Sequence, residues 1–171
     1  MSQLKDQMNI FLSADEIQNL VQDIARKIER DYAGSEVVMI CPLKGSIHFI
    51  ADLMRELKLP QTLDFVHLTS PKGHGVKIIQ DISTEVENKH VLIIEEIIDA
   101  GRTLSFLYQR LLASNPASLK IVTLLDKPAR RELSIKPDYC GKTIEDRYVI
   151  GYGLDSEELG RNYSDIYIFR N

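Results

Sequence analysis

Residues 91–104 read VLIIEEIIDAGRTL, and the organisation of the whole chain follows from them. Val91, Leu92, Ile93 and Ile94 form an unbroken aliphatic run, the pattern of a strand buried on both faces of a parallel sheet. Two carboxylates, Glu95 and Glu96, follow at once, and after two more aliphatics come Asp99, Ala100, Gly101, Arg102 and Thr103. Leu104, Leu107, Leu111 and Leu112 then recur at helical spacing, which starts a helix near Thr103. Ligands of open α/β sheets sit beyond the carboxyl ends of the strands. A glycine turn into a helix N-terminus offers a phosphate free backbone N–H groups and a favourable dipole. Carboxylates beside such a cradle suit hydroxyls or a metal better than a second phosphate. The stretch predicts a sugar phosphate, with its phosphate on residues 100–103 and its hydroxyls on Glu95 and Glu96.

Working outward, strand and helix patterns alternate. Ser13-Ala-Asp-Glu16 is a capping box, and Ile17, Leu20, Val21, Ile24, Ala25 and Ile28 make the apolar stripe of a helix that stops near Gly34. Residues 37–41 read as a strand, and Pro42-Leu-Lys-Gly-Ser46 turns into a helix carrying Ile47, Ile50, Leu53, Met54 and Leu57. Alone, Lys44-Gly45-Ser46 reads as an ordinary turn, although a strand–glycine turn–helix unit with a lysine also suits an anion. Residues 63–68 and 76–79 read as strands around a turn-rich segment at 69–75, and residues 119–125 as a further buried strand. This alternation predicts a parallel α/β sheet.

Composition narrows the function. A chain of 171 residues is long enough for one domain with a substantial core. Its net charge of −4 gives no support for nucleic-acid or membrane partners. The absence of a leader-like segment or a spanning apolar run points to the cytoplasm. Cys41 and Cys140 then read as reduced, mostly buried thiols, and His48, His67, His74 and His90 as structural or surface residues without metal-ligand spacing. Two further glycine patterns fail. Gly141-Lys142-Thr143 lacks the first glycine and preceding strand of a phosphate loop, and Gly151-Tyr-Gly153 lacks the third glycine of a dinucleotide turn.

The order of hydrophobic strand, two acids, two aliphatics, Asp, small residue, Gly, any residue and Thr resembles the 5-phosphoribosyl 1-pyrophosphate (PRPP) signature of type I phosphoribosyltransferases. The resemblance extends over nearly the whole chain, towards the hypoxanthine-guanine members of that family. It implies a central mostly parallel sheet flanked by helices, with a small hood over the strand ends. The implied single domain spans 1–171, with a core at about 13–130 and a hood made mainly of 131–171 with the N-terminal lead-in.

By that resemblance Asp99 is catalytic, taking the proton of the purine imidazole ring. Glu95, Glu96, Ala100, Gly101, Arg102 and Thr103 hold the ribose and its 5-phosphate. Leu43, Lys44 and Gly45 match the family's pyrophosphate loop, and Arg161 a position that reaches pyrophosphate. Lys127, in Leu124-Leu-Asp-Lys-Pro128, matches a lysine that donates to a 6-oxopurine; Tyr148 matches the ring that stacks on the base, and Val149 the backbone that bonds its edge. Glu95, Glu96 and Asp155 match ligands of Mg2+, the implied cofactor. The implied partners are PRPP and a purine base, and the implied assembly is a homodimer or homotetramer. Three positions depart from the commonest pattern: Glu96 stands for Asp, Ala100 for Thr or Ser, and Ser70-Pro71 for the Ser-Tyr of the lid. Loss of the hydroxyl at Ala100 predicts weaker PRPP binding with function retained. The implied function is purine salvage, transfer of phosphoribosyl from PRPP to hypoxanthine or guanine to give IMP or GMP. The alternatives are a non-catalytic PRPP- or nucleotide-binding regulator on the same fold and a phosphoribosyltransferase for another base such as xanthine.

Overall fold

The stripe at 17–28 winds into a helix because Ser13 and Glu16 cap it reciprocally. In the computed structural model, which describes residues 7–70 and 75–170, the Ser13 N–H donates to Glu16 Oε2 at 2.8 Å and the Glu16 N–H donates to Ser13 Oγ at 3.3 Å. Helix α1 (Ala14–Asp31) buries Ile17, Val21, Ile24, Ala25 and Ile28. It is preceded by strand β1 (Met8–Leu12) and followed by β2 (Val37–Leu43), helix α2 (Ile47–Glu56), β3 (Gln61–Thr69) and β4 (Lys77–Gln80). Then come β5 (His90–Ile98), helix α3 (Arg102–Leu112), β6 (Ser118–Asp126), β7 (Tyr139–Thr143), β8 (Val149–Ile150) and β9 (Ile166–Phe169).

Six strands form one sheet in the order β4-β3-β2-β5-β6-β7, parallel except for β4 at the edge. The aliphatic run of β5 is buried on both faces. Leu92 and Ile94 join Met39, Cys41, Phe49 and Leu53 on the side of α1 and α2, whereas Val91 and Ile93 join Val38, Ile40, Leu104 and Leu107 on the side of α3. Residues two apart share a face of a strand, so an unbroken apolar run serves both layers at once.

From β2 the chain crosses through α2 to β3 on one side, and from β5 it crosses through α3 to β6 on the other. The loops after β2 and β5 therefore diverge above two adjacent strands. This is a topological switch point, where open α/β sheets take their ligands.

A second, three-stranded antiparallel sheet in the order β1-β9-β8 joins the two ends of the described chain, with Met8 opposite Phe169 and Val149 opposite Ile168. Met8, Ile150, Tyr163 and Tyr167 pack together there.

Two local expectations change. Strand β5 runs on to Ile98, so Glu95 and Glu96 lie within it rather than after it. Residues 139–143, grouped with the hood in the sequence, pair with β6 as the outer strand of the large sheet. Among the described residues no helix is long and apolar enough to cross a membrane.

Candidate active site

Gly101 decides the turn after β5. Its φ of 82° is left-handed backbone that glycine adopts without a Cβ penalty, and it caps α3 directly. With no side-chain cap bond at that end, the first N–H groups of α3 face the turn. Around them lies a cleft of about 340 Å³ lined by Leu43, Lys44, Gly45, Glu95, Glu96, Asp99, Ala100, Gly101, Arg102 and Thr103 among others. The structure thus brings together two segments that stand some fifty residues apart in the chain, the loop after β2 and the turn after β5. The Leu43–Lys44 peptide is cis.

The loop after β2 is held by close approach. A Cβ on Gly45 would run into the Glu96 carboxylate, and a Cβ on Gly153 would run into the Gly45 carbonyl. Gly153 carries the turn with Asp155 and Arg161 against this loop, and Arg161 Nη1 donates to the Gly153 carbonyl at 2.8 Å. Arg161 Nη2 lies 2.9 Å from Asp155 Oδ1 and 3.2 Å from Glu158 Oε2, and Lys44 Nζ lies 3.0 Å from the same Glu158 oxygen. Burial pushes both Glu95 and Glu96 above the ordinary carboxylate range. The Glu96 charge raises Glu95 further. Glu96 itself rises to about 7, with its own backbone N–H and Arg161 holding it down and Asp155 pushing it up. Both acids keep part of their surface open to the cleft.

Asp99 is half-exposed and accepts from Arg130 Nε at 3.0 Å; Arg130 Nη1 in turn lies 3.6 Å from Asp146. Arg131 spans the Asp99 carbonyl and the Asp126 carboxylate, and the Glu132 N–H donates to the Ala100 carbonyl at 3.1 Å while its side chain pairs with Arg102. Residues 130–132 thus clasp the turn at 99–102 along its length. The sequence reading missed them; their signal is two adjacent cations and an acid directly after Lys127-Pro-Ala.

Lys127 sits beside the same turn, its N–H donating to the Ile98 carbonyl at 3.0 Å. It is 6% exposed, and its ammonium makes no hydrogen bond or ion pair among the described residues. Tyr148 and Val149 lie outside the cleft. Tyr148 is exposed, packs against the Phe169 ring at 6.1 Å and donates to the Asp155 carbonyl at 3.0 Å; it lines a neighbouring pocket with Asp146 and Arg147. Val149 is buried in β8, at the edge of the small sheet. Leu68 of β3 and Ser70 stand on the cleft wall, whereas of the turn-rich segment at 69–75 Pro71, Lys72, Gly73 and His74 fall outside the described residues.

Glu95, Glu96 and Asp155 do not form a ready-made cage, since among the described residues no three His, Cys, Asp or Glu are grouped to hold a metal. The donor set still fits Mg2+, which takes one or two carboxylates and completes its shell with phosphate oxygens and water. Cys41 is buried beside Ser46, and burial pushes its thiol up to about 12, so it is inert; Cys140 is a free thiol too. His90 bonds Ser118 at 2.8 Å at the start of β5, the opposite end of that strand from the acid pair, and His48 packs on Tyr152.

Residues 13–157 match the model of the phosphoribosyl transferase domain. The chain belongs to this family. It is 41% identical over 163 residues to a hypoxanthine-guanine phosphoribosyltransferase of Staphylococcus epidermidis, covering 92% of this chain and 91% of that protein. The Staphylococcus aureus protein of the same name is 40% identical over 162 residues. A crystal structure of a Bacillus anthracis hypoxanthine-guanine phosphoribosyltransferase superposes with a TM-score of 0.91 at 40% identity, covering 95% of this chain and 97% of that one. A hypoxanthine phosphoribosyltransferase of Staphylococcus aureus superposes with a TM-score of 0.94 at 38% identity, covering 98% and 94%.

Proposed function

We propose that this chain transfers the 5-phosphoribosyl group of PRPP to hypoxanthine or guanine, releasing pyrophosphate and forming IMP or GMP in purine salvage. The observation that carries the reading is the cleft at the sheet's switch point. It is lined by an acid pair, a glycine phosphate turn and a Lys-Gly loop, in a chain so similar along its length to hypoxanthine-guanine enzymes.

The α3 N-terminus with Ala100, Gly101, Arg102 and Thr103 takes the 5-phosphate. Glu95 and Glu96 orient the ribose hydroxyls. Leu43, Lys44, Gly45 and Arg161 receive the pyrophosphate. Lys127, nearly buried and without an acceptor among the described residues, donates to the 6-oxo group, which favours hypoxanthine and guanine over adenine. Tyr148 stacks on the base, for about 1–3 kcal/mol, and the Val149 backbone bonds its edge.

In the step itself a purine ring nitrogen attacks C1 of the ribose, and the bond from C1 to the pyrophosphate oxygen breaks with its electron pair leaving on pyrophosphate. Positive charge gathers on the ribose, as in glycoside cleavage. Asp99 accepts the proton released from the imidazole ring, a role worth roughly 10²–10⁴-fold in rate. Glu95, Glu96 or Asp155 would hold Mg2+ together with substrate oxygens, and the bound ion would supply charge neutralisation for the leaving group. The same reading assigns the enzyme to the cytoplasm as a homodimer or homotetramer, which light scattering after gel filtration would decide.

Initial rates with PRPP, Mg2+ and a panel of hypoxanthine, guanine, xanthine and adenine test the proposal. Hypoxanthine or guanine should react far faster than adenine. PRPP binding without turnover on any base would favour a regulator on this fold instead.

A further inference from the structure

The two cations assigned to pyrophosphate are not free. One carboxylate, Glu158, reaches both, with Oε2 at 3.0 Å from Lys44 Nζ and 3.2 Å from Arg161 Nη2. Lys44 comes from the loop after β2 and Arg161 from the turn after β8, so Glu158 spans the same gap that a diphosphate would span. Its backbone is set for this task. Glu157 and Glu158 have φ of 52° and 67°, a left-handed pair that side-chain-bearing residues rarely adopt. The turn is fixed by the Ser156–Leu159 bridge and by the Glu158 N–H donating to Asp155 Oδ2 at 2.8 Å. Lys44 and Glu158 are both more than half exposed, so the pairing is weak and replaceable.

We propose that Glu158 is an internal competitor for the pyrophosphate subsite: its carboxylate bridges Lys44 and Arg161 and must be displaced by the diphosphate of PRPP or by product pyrophosphate. The inference rests on the pyrophosphate role given above to Lys44 and Arg161. A multiply charged diphosphate makes more and stronger charge-assisted bonds to these cations than one carboxylate, so it wins the exchange. The exchange lowers its net affinity. Substrate and product diphosphate are weakened alike, which favours release of pyrophosphate after transfer.

Glu157 provides the control. It is exposed, carries the same charge one residue away, and makes no hydrogen bond or ion pair among the described residues. Titration calorimetry with inorganic diphosphate and magnesium chloride on the full chain, Glu158→Gln and Glu157→Gln separates direct competition from charge alone. Two weak ion pairs removed should tighten diphosphate binding about three- to tenfold in Glu158→Gln, lower the KM for PRPP by a similar factor and strengthen product inhibition. Glu157→Gln should stay within about twofold of the wild type, as expected for an unpaired surface charge. Equal or weaker binding by Glu158→Gln overturns the proposal, and so does equal tightening in Glu157→Gln. Turnover of hypoxanthine by the wild type is measured alongside. Its presence leaves the enzymatic reading standing even when the Glu158 result is negative, and its absence removes that reading separately.

Discussion

Asp99 meets the cleft already engaged by Arg130, with an oxygen still open to solvent. An aspartate so placed can take a proton while its orientation is held from behind. Asp99→Asn keeps the shape and removes the base, so turnover at saturating base and PRPP should fall about 10²–10⁴-fold, with PRPP affinity within a few-fold. Stopped-flow or initial-rate measurements beside calorimetry check this, and unchanged turnover would take Asp99 out of the chemistry. Ala100 makes the opposite case, since its backbone is used and its side chain offers no donor. Its carbonyl accepts from Glu132 at 3.1 Å, so the loop is already anchored. Ala100→Thr adds a hydroxyl beside the proposed 5-phosphate subsite, worth at most about 1.5–3 kcal/mol before water replacement reduces it. PRPP should bind several-fold tighter with turnover nearly unchanged, because the phosphate is held alike in ground and transition states.

At the scale of elements, the turn after β5 is stabilised by the segment after β6. Arg131 is the pin: its guanidinium pairs with Asp126 at the end of β6 and also holds the Asp99 carbonyl, with both side chains 12% exposed. Removing one member of a nearly buried pair strands the other charge, at a cost of about 3–5 kcal/mol. Arg131→Met keeps most of the apolar stem, so urea unfolding of that variant should show a loss towards the lower end of this range. PRPP affinity should fall with it as the turn loosens. A change below about 0.5 kcal/mol, the usual size for a surface substitution, would mean that the pair contributes nothing. Helix α3 needs no such pin, since Leu104, Leu107 and Leu111 bury one stripe against β5 and β6.

At the scale of the molecule, the acid pair couples the site to global stability. Glu96 has a folded pKa raised from 4.5 to about 7, so the folded chain holds a proton that the unfolded chain has lost between those values. Stability therefore falls as pH rises through that window and levels above it. The wild type should lose about 1–2 kcal/mol more than Glu96→Gln between about pH 5 and pH 8, allowing for solvent screening of a partly open group. Urea titrations of both proteins without added metal measure the difference. The sequence alone sets the local units: the strand at 91–94 from its unbroken aliphatic run, α1 from its capping box and stripe, and the turn at 100–103 from Gly101 before a helix. Each depends on neighbours within a few residues, which is why periodicity reveals it. The approach of Gly45 to Glu96 exists only in the tertiary structure, because that contact needs β2 beside β5 in the sheet. The same holds for Arg130 on Asp99, Glu158 between Lys44 and Arg161, and the pairing of β1 with β9. These contacts join residues 31, 114 and 161 apart: Arg130 with Asp99, Glu158 with Lys44, and Met8 with Phe169. A charged side chain on a loop carries no sequence period, so its partner becomes visible only when the sheet brings the loops together.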